Sequence, residues 1–499
     1  MIKFRVLYFI AYTRQLAYHS ISKCFMLAGW VSLFKRITRV TNENINLLFK
    51  WISISKSILL SIKGVISMSN YYFKPVVGID ISQGFHVVSI LNPMSKLHTK
   101  TFKIYNTLDG FLYLLSEIEK VEREYNMKTA IFMESTGVYH LSLFHFLKKQ
   151  NLEVNLINPL VTNSNKNKDI RKVKNDKKDS FSIAKLAQLD DIKYSSYFDL
   201  HVFNIKSLCR EYYKHVDTRS SYKRKLSADI HVLFPNYNSV FKNITCDTSI
   251  SILKKYPTPS GLLAADSETV IQLIKAKSKK GLNWATNIYN KLKSVALDAI
   301  EIGIPSISLE LRISLNLNII ETLDKNIKAI LIEIINIVNS NDFPQYLKNC
   351  IEFIDSIPGF DFFSAVTILA EIGDYRRFKK PKQLTAFLGL DPGVNESGKF
   401  KGDKNSMSKR GSKTARRTLY SAALVSIRKK RSGEYFNPVL FTYFHENLVN
   451  KKPKIALGAI MHKLVNYIFS VLRDQKNYEL RSPKLHNQMF LNNKSKQCA

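Results

Sequence analysis

Ordered alternation of apolar and polar positions begins at Lys74. Val76–Ser82 reads VVGIDIS, an apolar run carrying an acid near its end, and predicts a buried strand. Phe85–Asn92 and Thr99–Asn106 predict two more strands, separated by an Asn92-Pro93 turn. Leu108–Tyr125 changes period: Phe111, Leu114, Leu115 and Ile118 fall on one face of a helix. Thr129–Ser135 predicts a strand, Tyr139–Gln150 a helix and Glu153–Asn158 another strand. The order β-β-β-α-β-α-β predicts a central sheet covered by helices.

That order is the order of an α/β RNase H-like fold, assigned to residues 74–192. Residues 163–185 are Lys-rich and lead into a helix near Ser180–Leu189. The stretch 195–300 reads as mostly helical, interrupted by Tyr-Pro-Thr-Pro-Ser-Gly at 256–261. Within 309–338, Ile313, Ile320, Ile327 and Ile334 repeat every seven residues, and Asn316, Leu323, Ile330 and Ile337 follow three positions later. This is an a/d seam with one polar member, Asn316. It predicts either a coiled coil that pairs two chains or a core helix packed within its own chain; the pairing reading is preferred, and 193–345 is assigned to a helical coiled-coil region. A mostly helical C-terminal domain follows over 350–473, and 474–499 reads as a polar, basic tail.

Composition sharpens the picture in one respect. Seventy-five Lys and Arg against forty Asp and Glu leave a net charge of +35 over 499 residues. Such a surplus is costly in self-repulsion unless a polyanion neutralises it, and nucleic acid is the usual one. The five cysteines, at 24, 209, 246, 350 and 498, show no metal-ligand spacing and point to a reducing compartment, the cytoplasm. Residues 1–67 differ from the rest, with ten basic residues and one acid, Glu43. No uninterrupted apolar run there reaches membrane length, so no stable membrane association is expected. Met68 stands just before the first good strand, and 1–67 is expected to be a non-native or dispensable extension.

The candidate chemistry starts with carboxylates. Asp80 closes the first strand and Glu134 the fourth, which lie side by side in this topology, so the two acids should converge. Asp176 and Asp179 stand three apart, on one face of a helix start. Four carboxylates can hold one or two Mg2+ (or Mn2+) ions, which prefer hard oxygen ligands. Each acid alone is weak, and an Asp pair among lysines is commonly a solvated helix face. Asp80 is harder to dismiss, because an acid closing a buried strand needs a partner. A sugar kinase with an actin-like fold also opens on a strand and an acid, but the Gly-rich phosphate loops it needs downstream are missing here.

The C-terminal domain opens on Ile354–Gly373, where Ile357-Pro358-Gly359 separates two apolar helical stretches. This predicts a helix-hairpin-helix, whose turn N–H groups bind phosphate without reading sequence; the ordinary alternative is an αα-hairpin. Between 398 and 417 lie eight basic residues and one acid, Asp403. A serine in such a field is a candidate nucleophile toward a phosphodiester, its neighbours stabilising the alkoxide, although a serine in a Gly-rich basic loop is by itself more often a phosphate contact. Gly359, Lys399, Lys401, Lys409, Arg410, Arg416 and Arg417 are the candidate nucleic-acid contacts.

Taken together, Gly78-Ile79-Asp80, Met133-Glu134-Ser135-Thr136-Gly137, Asp176-Lys177-Lys178-Asp179-Ser180, Ile357-Pro358-Gly359, Leu388-Gly389-Leu390, Ser397-Gly398 and Ser408-Lys409-Arg410-Gly411 resemble, in order and spacing, the DEDD-type insertion-sequence transposases, or bridge-RNA-guided recombinases. The resemblance covers about 75–475. It implies a RuvC-like domain with Asp80, Glu134, Asp176 and Asp179 as metal ligands, and a separate transposase domain in which Ser397 attacks DNA and forms a phosphoserine link. It further implies DNA partners (element ends and target), a structured RNA from the element's own end, and assembly of dimers into a tetramer with composite sites. The chain departs from the family in Asn175, where Thr is usual, in Ser180, where Ala is usual, in a longer helical region, and in residues 1–67, which have no counterpart. A RuvC-like nuclease that only cuts branched DNA, and an inactive nucleic-acid-binding relic, are the alternatives; the nuclease needs no serine domain.

Overall fold

The computed structural model describes residues 69–499 except 136, 158, 160–161, 163–175, 190–193, 196–198, 394–395, 398–399, 402–405, 483, 486–487 and 489–499. The expectation for 1–67 therefore falls outside the described residues. Chain contacts divide the protein into two units, residues 1–196 and 197–499.

The first unit is built on a six-stranded sheet in the order β3-β2-β1-β4-β5-β6. Its strands are β1 (Val76–Asp80), β2 (Phe85–Leu91), β3 (Phe102–Tyr105), β4 (Ala130–Glu134), β5 (Glu153–Ile157) and β6 (Tyr194–Ser195). The strands β1, β4 and β5 are parallel to one another, while β2, β3 and β6 join antiparallel. Order and sense are compatible with the RNase H-like arrangement predicted above. Helices α1 (Leu108–Tyr125) and α2 (Leu141–Lys149) bury the faces Phe111, Leu114, Ile118 and Leu143, Phe144, Leu147. Both ends of α1 are set locally: Thr107 accepts from Gly110 N at its start, and Asn126 takes a left-handed conformation at its end.

One helix, α3 (Asp176–Leu189), packs on β1, β2 and β4. Its alanine and isoleucine face, Ile183, Ala184 and Ala187, shares a core with Val76, Ala130 and Phe132. The approach is close: a Cβ on Gly78 would stand 2.3 Å from Ser180 O and 2.5 Å from Ala184 N. Only glycine allows it, which gives the Gly-Ile-Asp motif a packing reason.

The second unit hangs on two long helices, α4 (Leu200–Leu233) and α6 (Ile307–Asn339), with α5 (Leu282–Ile302) between them in sequence. Val202, Ile205 and Cys209 of α4 share a core with Ile334 and Val338. Leu226, Ile230 and Leu233 share another with Ile313, Leu317 and Ile320. The two helices therefore run antiparallel. The heptad seam of α6 faces its own chain: Ile313, Ile320, Leu323, Ile327 and Ile334 are buried. The polar seam member Asn316 is satisfied there too, donating from Nδ2 to Asp229 Oδ2 at 3.0 Å, with Arg312 on the other carboxylate oxygen at 2.5 Å. Of the two readings of the seam, the intrachain one fits. Packing against α4 gives the apolar stripe the burial that a second chain would otherwise supply.

The C-terminal part of this unit comprises α7 (Gln345–Asp355), α8 (Phe362–Ile372), α9 (Lys413–Ser426) and α10 (Pro453–Asp474), with short segments between them. By length and composition α10 could cross a membrane, but Ile460, Leu464, Val465 and Ile468 on it are core residues of a helix packed on α7 and α9.

Candidate functional site

The parallel ladder of β1 and β4 pairs Ile79 with Met133 as its last rung, so Asp80 and Glu134 are the next pair and leave the same end of the sheet. They stand two residues beyond Gly78 and Phe132, which face α3, and so fall on the α3 side of the sheet. The direction of α3 completes the set. Gln188 Nε2 donates to Lys74 O and Asn92 O, both at 2.8 Å, pinning the far end of α3 to the start of β1. Ser180 lies against Gly78. Moving up β1 moves down α3, so the helix start at Asp176 and Asp179 comes to the sheet end that carries Asp80 and Glu134. Among the described side chains no three His, Cys, Asp or Glu close into a group able to hold a metal; the side chain of Asp176 is outside the described ones. The backbone brings the ends of β1 and β4 and the start of α3 to one end of the sheet, and the donors on them are carboxylate oxygens, which suit a hard divalent cation.

Two contacts fix this end and carry no sequence signal of their own. Thr162, itself buried, donates from Oγ1 to Glu134 Oε2 at 2.9 Å, with Pro159 O as a second acceptor at 3.0 Å. Ser180, fully buried, meets Ser89 of β2 with hydroxyl oxygens 2.8 Å apart, and Ser89 is 2.9 Å from Thr101. The serine that departs from the family pattern thus has a partner in the sheet, and the pair ties the acidic start of α3 to β2.

In the second unit Ser397 lies on a small hairpin, β7 (Glu396–Ser397) against β8 (Phe400–Lys401), with Ser397 paired to Phe400. Its side chain, and those of Lys399 and Lys401, are outside the described ones. The chain entering and leaving this hairpin is knitted together. Gly393 N donates to Ser406 O at 2.7 Å, Ser408 N to Asp391 O at 2.8 Å and Lys409 N to Gly389 O at 3.1 Å. Gly389 has φ +71°, and a Cβ there would be 2.4 Å from Gly411 N. Ser408 Oγ donates to Asp391 Oδ1 at 2.5 Å, so both donors of Ser408 staple one residue. Lys409 and Arg410 are exposed, Lys409 in a left-handed conformation.

The other basic candidates are already engaged. Arg416 Nη1 donates to Gly411 O at 2.7 Å and Leu388 O at 3.2 Å, bracing the loop from beneath. Arg417 pairs with Asp217 at 2.6 Å and lies 4.7 Å over the Tyr213 ring. Gly359 has φ +112°, and its missing Cβ makes room for Ser426 Oγ and Ala422 O, while Ser426 Oγ reaches Pro358 O at 2.9 Å. Helices α7 and α8 pack on each other across the short turn at 356–361, an arrangement that an ordinary αα-hairpin also has. The start of α8 is capped by its own Asp361, which accepts from Ser364 N at 2.8 Å, while Ser364 Oγ accepts from Asp361 N at 2.8 Å. A carboxylate occupies the place where the sequence suggested a phosphate.

Beneath this surface Glu371 is almost fully buried. Arg210 holds it with two bonds of 2.7 and 2.9 Å, and Lys206 stands at 3.6 Å. Burial would raise its pKa, but Arg210 and Lys206 outweigh that and hold the carboxyl below its ordinary value. Burial also pushes the Cys209 thiol up to about 12 and that of Cys350 to about 11, so neither is a ready nucleophile.

With this geometry in place, the comparisons are direct. Residues 77–235 match the model of the IS110-type DEDD transposases, and residues 351–437 match that of the transposase IS116/IS110/IS902 family. A 75-residue stretch is 36% identical to the transposase for insertion sequence element IS1111A of Coxiella burnetii (strain RSA 493 / Nine Mile phase I), covering 15% of this chain and 20% of that relative. The chain thus matches about a fifth of the length of that curated relative. The two family models fall on the two chemically distinct parts of the chain, the carboxylate sheet end and the basic loop domain, and in the family's order: the chain belongs to the IS110 family of DEDD transposases.

Proposed function

We propose that this protein cuts and rejoins DNA as the recombinase of an insertion sequence. The observation that carries the reading is the parallel pairing of β1 with β4, which brings Asp80 and Glu134 to one sheet end beneath the acidic start of α3. Asp80, Glu134, Asp176 and Asp179 would hold Mg2+ (or Mn2+), which when bound neutralises charge developing on the phosphate oxygens. Ser397 is the proposed nucleophile. Its hydroxyl oxygen bonds to phosphorus, its proton leaves, and a sugar oxygen of the DNA departs as a hydroxyl. Attack by a different sugar hydroxyl on the seryl phosphodiester then rejoins DNA and regenerates Ser397. The number of phosphoester bonds is conserved, so no energy-carrying cofactor is consumed. Lys409 and Arg410, exposed beside the hairpin, offset the charge of the phosphate.

The family resemblance and the net charge of +35 support a structured RNA as guide and DNA as substrate. Assembly into dimers or a tetramer finds support away from the covered seam. Leu297, Ile300, Ile302, Ile304, Ile307 and Leu311 are exposed along the α5–α6 corner. An apolar strip of this kind marks an association surface.

The test is Asp80→Asn. It deletes a ligand and leaves every basic contact, so recombination should be lost while binding of DNA and RNA stays near wild type. Recombination at the wild-type rate would show that the metal site lies elsewhere. A branched-DNA nuclease reading predicts instead that Ser397→Ala still cuts.

A further inference from the structure

Arg428-Lys429-Lys430-Arg431 forms a run of four cations at a chain reversal after α9. The reversal is firmly built. Gly433, at φ +89°, donates from N to Lys430 O at 3.0 Å, and Phe436 N donates to Arg428 O at 3.1 Å. Lys429 and Tyr435 form an antiparallel bridge. Fully buried Asn437 anchors the return: its N–H donates to Ser426 O at 3.2 Å and its Oδ1 accepts from Leu440 N at 3.1 Å. All four cations are exposed. Lys430 meets Glu434 at 3.4 Å and Lys429 lies over the Tyr435 ring at 5.2 Å. Among the described residues, Arg428 and Arg431 form no ion pair.

Four cations held on a rigid turn beside one acid repel each other unless an anion covers them. Tyr435, the aromatic side chain best placed to receive a base, is stacked on Phe441 at 3.8 Å and 27°. Phe436, the other ring of the turn, is exposed but lies under Lys430 at 5.9 Å. With both rings engaged the turn offers chiefly charge, which suits the sugar-phosphate backbone of a duplex better than unpaired bases. Its distance from the loop of Lys409 and Arg410 is set by α9, whose start follows that loop and whose end leads into the turn. Fourteen helical residues span about 20 Å. That is about six base steps of a duplex.

We propose that Arg428–Arg431 is a second, sequence-independent contact for the phosphate backbone of duplex DNA, set about 20 Å from the basic loop beside Ser397. The choice of DNA as the polyanion rests on the recombinase reading above; the existence of the contact does not.

The experiment is a salt titration of binding between the full-length chain and a fluorescent DNA duplex of arbitrary sequence. The variant combines Arg428→Gln, Lys429→Gln, Lys430→Gln and Arg431→Gln. A control removes the same charge from the exposed Lys275, Lys277, Lys279 and Lys280. All eight side chains are on the surface, and unchanged thermal melting checks the fold. Each neutralised phosphate contributes about 0.9 to the slope of log K against log salt, so the slope should flatten by about 2 to 3.5 in the variant and by less than about 1 in the control. Equal flattening in both, or none in the variant, overturns the proposal. So does flattening with a structured RNA but not with the duplex, which would make RNA the occupant. Failure of the wild-type chain to rejoin DNA, with the slope difference intact, counts against the recombinase reading and not against this contact.

Discussion

Thr162 shows how much of this site rests on single hydroxyls. It holds Glu134 at 2.9 Å, and a lone threonine after Asn158-Pro159 gives no signal in sequence. Thr162→Val keeps the shape and removes the donor. Loss of a contact that orients a metal ligand typically costs 10–100-fold in metal affinity or activity. Recombination at saturating DNA should therefore need about 10-fold more Mg2+ in Thr162→Val, read as a shifted metal titration with DNA binding unchanged. An identical metal titration would reduce Thr162 to packing. Asp80 and Glu134 were legible because an acid closing an apolar strand is conspicuous. Ser180 was legible only as an oddity until Ser89 was seen across from it, since their 91-residue separation hides the pair.

At the scale of elements, the strand and helix order of the first unit was readable, and α1 runs over the residues that periodicity assigned. Edges were overdrawn: β3 starts at Phe102 rather than Thr99, because Thr99–Thr101 lies beyond the last rung with β2. The heptad of α6 was also readable, but its partner was not. A seam states that a stripe is buried and says nothing of which chain buries it, and the frame of α4 that carries Val202, Ile205, Cys209, Leu226, Ile230 and Leu233 is broken by Arg219 and Lys223. The Glu371 cluster was invisible for the same reason: Arg210 is 161 residues away. It predicts a pH dependence. A carboxyl held below its ordinary 4.5 stabilises the fold above that value and loses the contribution as pH falls through its folded pKa. Glu371→Gln should cost about 2 kcal/mol at pH 7, less than a fully buried pair because Arg210 is half exposed. In denaturant melts the gap to wild type should shrink as the pH is taken below 4.5 toward 3. A gap independent of pH would mean that the carboxylate charge is not what stabilises the cluster.

At the scale of the whole molecule, covering of the seam leaves the proposed self-association to other surfaces. The exposed strip at the α5–α6 corner, with Ile304 and Ile307 at 60% and 87% exposure, is the candidate. Ile304→Glu with Ile307→Glu should lower the mass seen by light scattering toward a monomer while thermal melting stays within a few degrees. An unchanged oligomer, or a monomeric wild type, would remove this surface. Charge was the plainest whole-chain signal, yet it did not say which cations are available. Arg416 and Arg417 support the fold, while Arg428–Arg431 lie open.

The proposed bonding of Ser397 to DNA is open to direct measurement. The chain is incubated with labelled DNA carrying the element's ends, RNA from the same element and Mg2+, and then resolved on a denaturing gel. The expected result is a protein–DNA adduct in wild type, its disappearance in Ser397→Ala, its persistence in Ser408→Ala, and a DNA-modified peptide containing Ser397 by mass spectrometry. An adduct that survives Ser397→Ala, or strand exchange without any adduct, would contradict it.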